Sequence, residues 1–82
     1  MVILKYKSTL LEFSKQKSEE IEARNIKDIL NYIKDSYGEK AYKEASRMLI
    51  AVNGVSISLH KNLKTELKAG DVVTFFPICG GG

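Results

Sequence analysis

Between Asn25 and Gly38 the sequence writes out one capped helix, N-I-K-D-I-L-N-Y-I-K-D-S-Y-G, and most of what flanks it has the texture of strands. Ile26, Ile29, Leu30, Ile33 and Tyr37 recur at i, i+3, i+4, i+7 and i+11, which gathers them into one apolar stripe. Asn25 can accept a bond from an otherwise unpaired N–H of the first turn, and Asp28 complements the positive end of the helix dipole. Gly38 stands where a helix-ending glycine belongs. The pattern predicts a helix over 26–37. A helix with a single apolar stripe has to lay it on another element, and here that element must be a sheet.

The flanks supply one. Val2, Leu4 and Tyr6 alternate with Ile3, Lys5 and Lys7, predicting a strand with one apolar face that continues loosely to Phe13. Ser14–Lys17 reads as a hairpin connection and Glu20–Ala23 as the returning antiparallel strand. The charged stretch 39–47, with Ala41, Tyr42 and Ala45, predicts a short second helix or helical turn at the surface. The unbroken run Met48–Val52 reads as a strand buried on both faces. Asn53-Gly54 is a tight-turn signal, returning through Val55–Leu59 as a short strand. Leu63 and Leu67 are expected to touch the core from a loop. Gly70-Asp71 turns the chain into a last strand, Val72–Phe76, which Pro77 stops because it has no N–H for the ladder. The order is α+β: a mixed sheet packed on one main helix. Placing the first and last strands side by side at the sheet centre makes it a β-grasp arrangement.

Composition excludes several classes. Eighty-two residues, 44% hydrophobic and 28% charged, make one folded domain with a modest core. The net charge is +3, but acidic residues are interleaved throughout, so a one-sided nucleic-acid-binding face is not expected. No apolar run approaches the ~18–20 residues that span a bilayer, and no membrane association is expected. The N-terminus lacks the pattern of a secretory leader, and the chain reads as cytoplasmic. A single cysteine, Cys79, leaves no partner for an internal disulfide, and with the single histidine, His60, it does not make a metal cluster.

The chain closes F-F-P-I-C-G-G-G, Phe75 to Gly82. Three glycines at a terminus have no turn to make. A thin carboxyl end without side chains can thread a narrow tunnel, and its carboxylate is a chemical handle that a partner enzyme can activate with ATP. Nothing in the tail itself does so.

Three stretches carry a family resemblance: A-V-N-G (Ala51–Gly54), T-E-L-K-A-G-D-V-V (Thr65–Val73) and the closing Phe75–Gly82. In this order they resemble the ubiquitin-like sulfur carriers, most closely the small subunit of molybdopterin synthase (MoaD-like). The resemblance covers essentially the whole chain and implies a β-grasp domain over 1–77 and a flexible tail over 78–82. It implies that a ubiquitin-activating-like adenylyltransferase adenylates the carboxylate of Gly82, next to Gly81. A persulfide donor then converts it to a thiocarboxylate. The tail enters the molybdopterin synthase large subunit, in a heterotetramer, and gives its sulfur to cyclic pyranopterin monophosphate. No bound cofactor is implied; the partner enzyme uses the ATP. Phe75, Phe76, Pro77, Ile78, Cys79 and Gly80 would contact partners.

The departures widen the choice. Ile78 stands where a second proline is usual, Cys79 where valine is usual, and Gly80 adds a third glycine; Leu11 stands where the family often has arginine, before Glu12. These leave room for a carrier serving tRNA thiolation, thiamin or a tungsten pterin, or for a protein modifier. A β-grasp interaction module without terminal chemistry is a separate class. Alternation in the last strand points one of Phe75 and Phe76 inward and the other outward, and the family match favours Phe76 as the outward anchor. Cys79 reads as a small apolar replacement rather than a sulfur relay, and His60 as a solvated residue. Lys61, Lys64 and Lys68 serve solubility or steer the chain to an acidic enzyme.

Overall fold

The computed structural model describes residues 1–78. The chain runs β1 (Val2–Lys5), α1 (Thr9–Ser14), β2 (Ser18–Ile21), α2 (Ile26–Tyr37), α3 (Glu39–Arg47), β3 (Leu49–Val52), β4 (Val55–Ser56) and β5 (Val72–Phe76). Short 3₁₀ turns at Ile57–Leu59 and Asn62–Lys64 fill the approach to β5. The sheet order is β2-β1-β5-β3-β4. β1 and β5 are parallel, while the other pairs are antiparallel. The first and last strands therefore lie together inside a mixed sheet, and the fold is a ubiquitin-like β-grasp.

One face of the sheet is the core. Val2 and Leu4 from β1, Val73 and Phe75 from β5, and Ile50 and Val52 from β3 point inward by strand alternation and are all buried. They meet Ile26, Ile29, Leu30 and Ile33 of α2, the stripe read from the sequence. Each such side chain contributes about 1.5–3 kcal/mol by leaving water. The cap of α2 is reciprocal: the Asn25 side chain accepts the N–H of Asp28 at 2.9 Å, and the Asp28 carboxylate accepts the N–H of Arg24 at 3.0 Å. α3 is more than a surface turn, because Ala41 and Ala45, one turn apart, are both fully buried and let its backbone close onto the core.

Five local expectations are corrected. The strand expected to run on to Phe13 ends at Lys5, and the chain turns at Ser8 (φ 54°) into α1. Leu10 plugs the core from α1, and Lys15 in the left-handed region closes the helix with its N–H on the Leu11 carbonyl. β2 begins at Ser18, two residues before the expected start, and ends at Ile21. β3 is buried on both faces only from Ile50 onward; Leu49 is 44% exposed. The expected strand over 55–59 pairs only at Val55–Ser56, because the Ser56 hydroxyl accepts the N–H of Ser58 and starts a 3₁₀ turn. Leu67 does pack on the core, whereas Leu63 stays exposed.

Two polar devices hold the ends of the sheet. Asn53 and Gly54 both have positive φ, 51° and 85°, as the expected tight turn requires. The Asn53 side chain then accepts the N–H of Val72 and donates to Asp71, tying this hairpin to the start of β5. Asp71 also accepts the N–H of Lys68, and these bonds hold its carboxyl below the ordinary range. At the other end, the Glu19 carboxylate of β2 accepts the hydroxyls of Tyr6, Tyr32 and Tyr37. Tyr6 sets its ring edge-on to Tyr37 and tilts against Phe75, with centroids 6.1 and 6.2 Å apart. Burial and then the bond to Glu19 raise the Tyr37 phenol from 10.0 to about 12, and Tyr6 is raised further by the same causes.

Candidate functional site at the root of the tail

β5 sits between β1 and β3; the β1 ladder reaches Thr74, and β3 pairs with β5 out to Phe76, which holds the exit end. Phe75 points inward and is fully buried; Phe76 points outward and is 39% exposed. Phe76 is therefore the outward aromatic. Phe75, expected to contact partners, is corrected to a core residue: no surface of it is open to another protein. Phe76 pairs with Leu49 as the outermost register pair of β3 and β5. Together they make a small apolar step on the outer face of the sheet. The Lys7 ammonium lies 5.7 Å from the Phe76 ring centroid, within range of a cation–π contact.

Beyond the ladder, Pro77 and Ile78 line a shallow groove with Thr9 at the start of α1, Glu44 and Arg47 in the last turns of α3, and Met48. The Thr9 hydroxyl donates to the Glu44 carboxylate at 3.2 Å, which holds α1 to α3 under the exit. Ile78 is 64% exposed. The sheet thus delivers the chain to the exit on a fixed support, with an apolar step on one side and the groove of mixed character on the other. Such a support can present a terminal group to an enzyme.

Of the expected site residues, the structure gathers Phe76, Pro77 and Ile78 at one exit. Cys79, Gly80, Gly81 and Gly82 lie outside the described residues. Leu49 and Lys7 were missed as site residues because register, not local pattern, brings them to Phe76. Lys68 lies before the turn into β5, at the opposite end of that strand from the exit. Lys61, Lys64 and His60 are exposed in the β4–β5 loop. Among the described residues no cluster of His, Cys, Asp or Glu is placed to hold a metal ion. No described helix is long and apolar enough to cross a membrane.

The model of the ThiS family matches residues 4–82. The chain belongs to this family of ubiquitin-like sulfur carriers. The match includes all three closing glycines. Among solved structures, a Pyrococcus furiosus protein assigned as molybdopterin converting factor subunit 1 is 31% identical, with 93% of this chain and 94% of that one covered and a TM-score of 0.69. A chain of the Helicobacter pylori 26695 complex of molybdopterin-converting factor subunits 1 and 2 is 27% identical, with 99% and 97% covered and a TM-score of 0.71. The small archaeal modifier protein 1 of Methanosarcina acetivorans superposes with a TM-score of 0.86 at 22% identity, with 99% and 95% covered, which shows the shared fold. No curated protein sequence matches the chain.

Proposed function

We propose that this sulfur carrier is the small subunit of a molybdopterin synthase, with residues 1–77 as the docking domain and 78–82 as the reactive tail. The observation that carries the reading is the family match running through Gly82, beyond a central strand whose exit is fixed. The molybdopterin branch is supported by identities of 31% and 27% to molybdopterin converting factor subunits.

In the proposed chemistry a carboxylate oxygen of Gly82 attacks the α-phosphorus of ATP on an adenylyltransferase, and pyrophosphate leaves. The terminal sulfur of a donor persulfide attacks the acyl carbon, and AMP leaves. A thiol of the donor then cleaves the resulting S–S bond, leaving a thiocarboxylate on Gly82 and a disulfide on the donor. In the large subunit the thiocarboxylate sulfur bonds to a carbon of cyclic pyranopterin monophosphate as the carbon–oxygen bond at that carbon breaks, its oxygen leaving with the phosphate or as water. Water then cleaves the acyl–sulfur bond and regenerates the carboxylate. This chain supplies the sulfur and a rigid mount; the partner supplies acid, base and phosphate contacts. Dependence on ATP and thiols places the cycle in the cytoplasm.

The test is intact-mass spectrometry of the full chain and of a chain lacking Gly82, after incubation with the cognate adenylyltransferase, ATP and a sulfur donor. The expected gain is one oxygen replaced by sulfur, in the full chain alone. Addition of the large subunit and pterin precursor should reverse that gain. A thiocarboxylate that discharges instead to tRNA or a thiamin precursor, or a tail that joins protein lysines, would move the chain to a sibling role.

A further inference from the structure

The outer face of the sheet beside Phe76 carries a cationic groove that the tail chemistry does not use. It lies where β1 runs into α1 and the hairpin returns into β2, and Lys5, Lys7 and Lys17 line it with Ser8, Ser18 and Leu11. The placement follows from register. Lys5 pairs with Ser18, and the N–H of Tyr6 donates to the Lys17 carbonyl at 2.8 Å, so the hairpin brings Lys17 beside β1. Tyr6 points into the core, which sends its neighbours Lys5 and Lys7 outward.

No carboxylate lines the groove. Among the described residues the one ion pair is Lys34–Glu39, on the helical side of the molecule, so the three lysines have no carboxylate within 4.0 Å. The groove is also continuous with the exit, because Lys7 reaches over the Phe76 ring. Cations that meet an exposed aromatic and an exposed Leu49 make a footprint with a charged half and an apolar half. The complementary surface carries carboxylates beside an apolar pocket.

We infer that Lys5, Lys7 and Lys17 form a docking site for an acidic strip on the adenylyltransferase that receives the tail, with Phe76 and Leu49 as its apolar margin. The inference rests on the sulfur-carrier reading for the identity of the partner. Attraction at this site orients the tail on encounter and leaves the chemistry at the carboxylate unchanged.

The test measures ATP–pyrophosphate exchange by the cognate adenylyltransferase against carrier concentration. Three carriers are compared: the native chain, a triple variant (Lys5→Glu, Lys7→Glu, Lys17→Glu), and a charge-matched control on the exposed helices (Lys27→Glu, Lys40→Glu, Lys43→Glu). The groove variant should raise the half-saturating concentration about tenfold or more at low salt, with the maximal rate kept, while the control changes it less than about threefold. Added salt should shrink the difference. Equal effects of the two variants would overturn the site. If the native chain supports no exchange at all, the sulfur-carrier reading fails instead, and the groove is then read by NMR titration with an oligoglutamate peptide. Amide shifts centred on Lys5, Lys7, Lys17 and Ser18 that vanish in the groove variant uphold an acidic peptide site. No shifts there, or tighter binding of single-stranded RNA than of the peptide, overturns it.

Discussion

The end of β1 divides two regions of opposite character. On its inner side Tyr6 joins Tyr32 and Tyr37 around Glu19, and all three hydroxyls donate to its carboxylate. On its outer side Lys5 and Lys7 have no carboxylate partner among the described residues, and Phe76 and Leu49 are open to solvent. Adjacent residues of one strand thus serve two ends. The inner set spends its polar groups on holding β2 to the end of α2. The outer set keeps both charge and apolar surface available. A carrier that presents its tail needs the first to be rigid so that the second can be recognised.

The largest contrast is expected within β5. Phe75→Ala should lose about 3–5 kcal/mol of stability, since it empties a fully buried site beside Tyr6. Phe76→Ala should cost under about 1 kcal/mol, because an exposed side chain leaves no cavity. Urea unfolding of both variants measures the difference, and equal losses would end the division between an inner scaffold and an outer contact face.

Next comes Glu19→Gln, which removes the anionic acceptor for three phenols and should cost about 1.5–3 kcal/mol at neutral pH. The same corner sets an alkaline limit. The folded phenols hold their protons where unfolded tyrosines lose them. Their contribution is therefore complete below pH 10.0 and drains away as the pH rises through about 12, the Tyr37 value, with Tyr6 extending the loss higher. Thermal melts at stepped alkaline pH should show that decline in the native chain and a shallower one in Glu19→Gln. Parallel curves would mean that the three tyrosines do not act through Glu19.

The smallest effect belongs to Lys7→Gln. Losing the contact with the Phe76 ring should change stability by about 0.5 kcal/mol. The same change should weaken binding to the adenylyltransferase measurably. A variant that binds normally and unfolds early would place Lys7 with the scaffold rather than with the contact face.

How far the sequence reaches depends on how local the cause is. The α2 helix was legible to the residue, since its stripe, its Asn25 cap and Gly38 lie within one short window. Asn53-Gly54 was legible because only a few residues tolerate two successive positive φ angles. α1 was not, because six residues span too few turns to display a helical period, and Leu10 fits either pattern. The true end of the Val55–Ser56 strand was hidden in a serine side chain bonding to its own backbone.

By itself, then, the sequence determined the main helix, the last strand, the alternation that sends one of Phe75 and Phe76 inward and the other outward, and the family signature of the closing residues. Each follows from periodicity, capping or a motif carried by neighbouring residues. Tertiary structure alone decided the meeting of residues 6, 19, 32 and 37 in one bonded corner, the pairing of Leu49 with Phe76, and the gathering of Lys5, Lys7 and Lys17 in one groove. Those contacts join positions far apart in the chain through strand register, and a register is fixed by the whole sheet closing on its core rather than by any window of sequence.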